Sequence, residues 1–206
     1  MPEQPMSENE RWETRFRAPG YAFGKEPNAF LKSQAQRLPR SGSALSVADG
    51  EGRNGVWLAE QGLDVTTIDF SPTGVEKART LAVERGVMLR AELADVTSWQ
   101  WPREAYDVIA GIFIQFVTPA ERERLFAKMK GALKTGGLLI LQGYRPEQLK
   151  YRTGGPPNVE QLYTRALLQS AFGDMAQTEI REHDTAISEG TSHVGMSALI
   201  DLVAKK

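Results

Sequence analysis

The segment Ala48-Asp49-Gly50-Glu51-Gly52-Arg53-Asn54-Gly55 follows a short apolar run, Ala44–Ala48, and precedes the apolar residues Val56, Trp57 and Leu58. The spacing Gly50-x-Gly52-x-x-Gly55 is that of a strand–turn–helix unit whose bare backbone approaches a ligand's phosphates. A chain that turns this sharply from strand to helix commits itself to a βαβ arrangement. The charges argue against the usual occupant, a dinucleotide. Asp49 and Glu51 flank Gly50, and a carboxylate about 5 Å from a phosphate costs roughly 3 kcal/mol at an effective dielectric of about 20. A ligand carrying positive charge suits this loop better.

The rest of the chain keeps the same rhythm. Val65–Ile68, Val87–Ala91, Tyr106–Ile112 and Leu138–Gln142 read as further strands. Between them, Ser71-Pro72 opens a helix to Glu84, with serine as N-cap and proline in the first turn. Thr118-Pro119-Ala120-Glu121 is a capping box for a helix reaching Leu133. Residues 143–157 form a polar loop rich in glycine and proline, and Asn158 and Gln161 introduce a helix ending at Gly173. Residues 176–184 and 193–204 both alternate, with Ser188-Glu189-Gly190 between them, as in an antiparallel pair. The fold expected is therefore α/β: five parallel strands joined by right-handed crossovers, then an antiparallel C-terminal pair.

Ahead of this domain (43–206), residues 1–10 read as a disordered lead and 11–42 as a helical, lid-like segment. That segment is unusually aromatic, with Trp12, Phe16, Tyr21, Phe23 and Phe30, and carries a structured turn at Tyr21–Asn28 before a short helix over about 28–38. A net charge of -1 gives no reason to expect nucleic acid as a partner. The absence of cysteine excludes disulfides, thiolate metal sites and a cysteine nucleophile, and no metal is expected. Met1–Arg17 lacks the apolar core of a signal peptide, and no run approaches the roughly 20 apolar residues of a membrane span. A soluble, cytoplasmic protein is expected, as monomer or homodimer.

In such a sheet the ligand lies beyond the carboxyl ends of the strands. Three segments reach that edge with suitable groups. They are the glycine loop, Asp69 placed to accept two ribose hydroxyls, and Asp95 placed to accept from an adenine amine with Val96 donating through its backbone.

The pieces Val47–Asn54, Val65–Asp69, Ala94-Asp95-Val96, Tyr106–Ile109 and Leu133–Gly137 resemble class I S-adenosylmethionine-dependent methyltransferases. The Gly-Arg-Asn step, with Trp12–Phe16 and Tyr21–Asn28, is similar to the small tellurite-resistance type. The resemblance implies a Rossmann-like fold, a seven-stranded mostly parallel sheet with helices on both faces, and S-adenosylmethionine as cofactor. It implies cofactor contacts from Ala48, Asp49, Gly50, Gly52, Asn54, Asp69, Phe70, Asp95, Val96 and Ile112. From the lid, Arg15 or Tyr21 would hold the cofactor's carboxylate. Where the usual motif has an acid and a glycine, this chain has Ser46 and Ala48, so Asp49 or Glu51 would organise the loop. Candidates on the acceptor side are His193, Gln115 (where the group often has histidine) and Tyr144, with Phe113 and Arg145 nearby.

The activity expected is methyl transfer to a small-molecule thiol, selenium or tellurium species, or amine. A NAD-dependent oxidoreductase shares the glycines and Asp69 but leaves Asp95, the acidic loop and the antiparallel end unexplained. A non-catalytic module binding an adenosyl cofactor is the other alternative.

Overall fold

The computed structural model describes residues 7–191 and 193–206. Seven strands form one sheet: β1 (Ser43–Val47), β2 (Asp64–Asp69), β3 (Arg90–Leu93), β4 (Tyr106–Ile112), β5 (Leu133–Tyr144), β6 (Gln177–Glu189) and β7 (His193–Lys205). Their order is β3-β2-β1-β4-β5-β7-β6. The first five are parallel, whereas β7 runs antiparallel between β5 and β6. The order reverses beside β1, whose neighbours are β2 and β4, so the switch point lies at the glycine loop that follows β1.

Both faces of the central strands are covered, which is why they read as nearly continuous apolar runs. Alternate residues go to opposite sides. Leu45, Ile109, Leu139 and Leu141 join one core cluster, while Ala44, Val108, Ala110 and Ile140 join another. The helices α3 (Arg53–Glu60), α4 (Pro72–Glu84) and α5 (Pro119–Ala132) are the crossovers. The caps expected for the last two are present: Ser71 accepts from Gly74 N–H, and Thr118 and Glu121 form a reciprocal box. Among the described residues no helix is long and apolar enough to cross a membrane.

Several expected boundaries move, each for a local reason. The lead expected at 1–10 lies outside the described residues up to position 6. From Ser7 onward it is helical, because a Ser7–Glu10 capping box starts α1 (Glu8–Arg17). The helix expected over about 28–38 is α2 (Ala29–Ser33) followed by a 3₁₀ turn. Val87 and Leu89 pack against helix-side clusters, so β3 begins only at Arg90. The strand expected at Leu138–Gln142 lengthens to Leu133–Tyr144, with a register shift opposite Tyr106 and Val108. Within 143–157 sits a single helical turn, α6 (Gln148–Tyr151). The helix expected from Asn158 is split: a 3₁₀ turn at Val159–Gln161, then α7 (Arg165–Phe172) capped by Thr164.

One extension positions the site. β7 pairs with β5 only from Leu199 onward, but its pairing with β6 continues outward to Glu189 opposite His193. The two strands therefore overhang the carboxyl edge of the sheet as a free ribbon, and Ser188 and Glu189 belong to the strand rather than to a turn.

Candidate active site

The glycine loop takes a tight path. Gly50 and Gly52 have φ of 58° and 88°, and even Ala48 is left-handed at 48°. A Cβ on Gly52 would lie 2.6 Å from Ala78 Cα, so this glycine lets α3 and α4 pack closely. A Cβ on Gly50 would meet Phe16 of α1 at 2.8 Å, so this one leaves room for the lid side of the cleft. Only one oxygen of Asp49 is partnered, and Oδ1 is buried beside the cavity without a hydrogen bond among the described residues. Its Oδ2 accepts from Gly55 N–H at 2.8 Å and from Thr67 Oγ1 at 3.1 Å, at the positive end of α3. Burial nonetheless pushes its carboxyl above the ordinary range, against the Gly55 bond. It performs the organising task left open by Ser46.

Glu51 is also accounted for, though not as expected from its position beside the glycines. It accepts from Ala22 N–H at 2.7 Å and Lys77 Nζ at 2.8 Å, and Lys77 in turn donates to the carbonyls of Ala18 and Gly20. Glu51 is thus an anchor for the N-terminal segment rather than a ligand charge. Glu13 anchors α1 in the same way, accepting from Ser71 Oγ and from Thr73 Oγ1 at 2.6 Å. Burial raises its pKa, but these bonds outweigh burial and hold it at about 2.

Asp69 is different. At the end of β2 its two oxygens accept from Gly50 N–H at 2.8 Å and Ser71 N–H at 2.9 Å. Among the described residues no cation pairs with it. Burial pushes it up to about 6 despite those two bonds, and the nearby Asp49 and Glu13 carboxylates add to the rise.

Asp69 borders a partly open cavity of about 190 Å³ lined also by α1, Phe23, Gly154–Pro156 and His193 of the ribbon. Of the residues expected from the sequence, this cavity brings together Arg15, Ala48, Asp49, Gly50, Asn54, Asp69, Phe70, Ile112, Gln115, Tyr144 and His193. It does not include Gly52, Tyr21, Asp95 or Val96. Gly52 is spent on helix packing. Tyr21 packs beside Val56 and Leu81 and donates to Lys77 O at 3.1 Å, facing away from the cavity. Asp95 Oδ1 is taken by Thr97 N–H and Oγ1 in a local turn, and Val96 is a core residue.

The opposite wall is aromatic. His193 sits with its ring 4.4 Å from Phe23, 4.6 Å from Phe113 and 5.8 Å from Tyr144. Burial pushes His193 below the ordinary histidine range, so its ring is neutral near pH 7. Burial pushes the Tyr144 phenol far up, so it stays protonated. Among the described residues Tyr144 Oη, His193 Nδ1 and Trp12 Nε1 are buried without a hydrogen-bond partner, and all three residues line the cavity. Arg15 stacks over Trp12 at 4.8 Å and has no carboxylate partner among the described residues. Gln115 is placed differently from a reacting group. Its amide accepts from Tyr144 N–H at 2.6 Å and donates to Tyr144 O at 2.9 Å and Gln161 O at 3.1 Å, clamping the end of β5.

Sequence reading missed two members of this wall. Arg53 is buried and pairs with Glu189 at 2.7 Å across a separation of 136 residues. A cation inside an apolar helix demands a counter-ion, but nothing local says which. Phe16, noted only as one of several aromatics, lies directly over Gly50.

Comparison with known proteins agrees with this geometry. Residues 44–137 match the family model described as a methyltransferase domain. Over 137 residues the chain is 29% identical to a glycine/sarcosine N-methyltransferase of Parasynechococcus marenigrum, covering 63% of this chain and 44% of that protein. The chain thus spans less than half the length of this curated relative. Among solved structures, one from echinomycin biosynthesis, described as converting a disulfide bond into a thioacetal group, superposes with a TM-score of 0.73 at 18% identity, covering 95% of this chain and 88% of that one. TehB from Haemophilus influenzae gives 0.68 at 16% identity, covering 87% and 62%. At such identities the structures speak for the fold alone. Residues 44–137 thus carry the match to a methyltransferase domain, and the strand order around them is the Rossmann-like fold that such domains share.

The residues at the cleft fit the cofactor of that class. A carboxylate at the end of β2 without a cation suits vicinal hydroxyls, a left-handed backbone lies beside it, and Asp69 and the unpartnered Asp49 Oδ1 border the cavity there, as a cationic ligand favours.

Proposed function

We propose that this protein transfers a methyl group from S-adenosylmethionine to a heteroatom of a small molecule: an amine, a thiol, or a selenium or tellurium species. The observation that carries the reading is Asp69, a cation-free carboxylate bordering the cavity with both oxygens already oriented by backbone N–H groups. When bound, the cofactor supplies a methyl carbon activated by its sulfonium. Asp69 would accept the ribose hydroxyls, the loop and Ile112 carbonyls the ammonium, and Arg15 the cofactor's carboxylate. The lid and Gly154–Pro156 flank the cavity and would shield the acceptor from water, an arrangement that suits a small molecule. The neutral His193 takes a proton from an acceptor that carries one, and Tyr144 offers its hydroxyl to the acceptor. The naming of the relative as an N-methyltransferase supports an amine among the candidates.

Calorimetric titration with S-adenosylhomocysteine and with NAD separates this reading from that of an oxidoreductase. Binding of the first alone is expected; binding of NAD alone overturns the proposal. Turnover across amines, thiols, selenite and tellurite then identifies the acceptor, and cofactor binding without any turnover would favour a non-catalytic module. Deleting Trp12–Phe23 should abolish cofactor binding, and unchanged affinity would remove the lid from the account.

A further inference from the structure

Glu189 stands where three parts of the molecule meet. It is the cross-strand partner of His193 at the outer end of the ribbon, so their side chains emerge on the same face. Its carboxylate accepts from Arg53 Nη2 at 2.7 Å, Asn28 Nδ2 at 3.0 Å and Ala29 N–H at 3.4 Å. Asn28 and Ala29 belong to the N-terminal segment, and Arg53 donates onward to Phe23 O at 3.3 Å. The turn beyond Glu189 presses on the same segment: Thr191 N–H donates to Ala22 O at 3.0 Å, and a Cβ on Gly190 would come within 2.5 Å of Gly24 N. The remaining approach to the carboxylate is taken by His193 Nδ1 at 3.7 Å, a ring nitrogen with no other partner among the described residues. That separation is longer than a hydrogen bond, as catalytic hydrogen bonds commonly are before a ligand is bound.

We propose that Glu189 is a positioning residue: its carboxylate accepts from His193 Nδ1–H, leaves Nε2 as the basic nitrogen toward the cavity, and does so only while the N-terminal segment is seated on it. The inference rests on the methyl-transfer reading for the identity of the reaction, but not for the geometry. In the step served, the acceptor's X–H proton moves to Nε2, the electron pair stays on X, and the resulting imidazolium is paired with the Glu189 carboxylate. Which ring nitrogen holds the proton is set by what the other one bonds.

The charged and titratable groups facing His193 are Glu189 from β6, Arg53 from α3, Arg15 from α1 and Tyr144 from β5. Burial lowers the histidine's pKa and the two arginines add to this, while Glu189 opposes them. Glu189 stays ionised: burial raises it, but His193 and Arg53 hold it at about 2. A charged acceptor of the Nδ1 proton therefore persists throughout the neutral range.

The test needs no methyl acceptor. The protein has two histidines, so long-range ¹H–¹⁵N correlation spectra of histidine-labelled protein report both tautomers, with His183→Gln giving the assignment. The expected result is an Nδ1–H tautomer for His193. In Glu189→Gln the tautomer should move toward Nε2–H and the His193 pKa should fall by about one unit, while Glu189→Asp keeps part of both. An Nε2–H tautomer in the unaltered protein, or a Glu189→Gln variant with the tautomer and pKa unmoved, overturns the proposal. The wild-type spectrum alone decides the case if Glu189→Gln fails to fold. Titration of the same samples with S-adenosylhomocysteine keeps the two readings apart, since failure to bind it refutes the cofactor assignment and leaves the tautomer result standing.

Discussion

Two buried carboxylates, one bordering the cavity and one behind His193, are handled in opposite ways. Asp69, beside the glycine loop, has hydrogen bonds but no cation, lies near Asp49 and Glu13, and is pushed up to about 6. Glu189, beside His193, has Arg53 and two donors from the N-terminal segment, and is held at about 2. A carboxylate left short of positive charge has stabilisation still to gain from a ligand, whereas one fully partnered holds the structure together. The contrast separates a group that the proposed reading assigns to a hydroxyl-bearing cofactor from a group that ties the N-terminal segment, the ribbon and α3 together. It also corrects the simplest view of the acidic glycine loop. Glu51 serves the lid and Asp49 Oδ2 serves α3, and in the proposed reading Asp69, one strand away, meets the cofactor's hydroxyls.

Four measurements press on this contrast. The largest effect belongs to the frame of the glycine loop: Gly52→Ala forces a left-handed alanine against Ala78 and should cost about 3 kcal/mol in denaturant unfolding. A loss under about 1 kcal/mol would mean that α3 and α4 can separate without penalty. Next, Asp69→Asn should weaken S-adenosylhomocysteine binding roughly ten- to a hundredfold, as expected for losing charged hydrogen bonds. Its melting temperature should hold or rise, because the ionised form is the one burial penalises. Unchanged affinity would move the ribose site elsewhere.

The third measurement is the pH dependence of stability. Asp69 has a folded pKa raised above its unfolded value of 3.8. Its favourable contribution is therefore complete below that value and is lost as pH rises through about 6. The stability difference between wild type and Asp69→Asn should decline over that window by on the order of 3 kcal/mol. Glu189 has the opposite sign: its contribution is complete above 4.5 and is lost as pH falls through about 2. Identical pH profiles for the two variants would erase the contrast. The smallest effect is expected from Arg15→Ala, a severalfold loss of S-adenosylhomocysteine affinity, about 1 kcal/mol. No change there would leave Arg15 to the acceptor.

How much of this was legible in the chain varies with distance along it. Ser71-Pro72 and Thr118–Glu121 marked their helices because capping is settled within one turn. Gly50 and Gly52 marked a left-handed path, and Asp69 followed from the end of a β-branched strand. Asp95 looked equally well placed, but Thr97, two residues on, captures its carboxylate in a turn, a local competition that strand counting does not weigh. Gln115 was singled out by its position after β4; its amide turned out to clamp Tyr144, 29 residues further along. His183, inside an alternating strand, bonds the buried Asp201 at 2.8 Å across the β6–β7 pair, another partner no local pattern names.

The sequence by itself determined the βα alternation, the switch point at the glycine loop and the acid at the end of β2, since each depends on backbone conformation and side-chain burial over a few residues. The tertiary structure alone decided the acceptor wall. Phe23, Arg53, Tyr144, Glu189 and His193 meet only because the C-terminal ribbon overhangs the sheet and presses on the N-terminal segment. The partner of a buried charge is chosen by long-range packing, which no local pattern encodes.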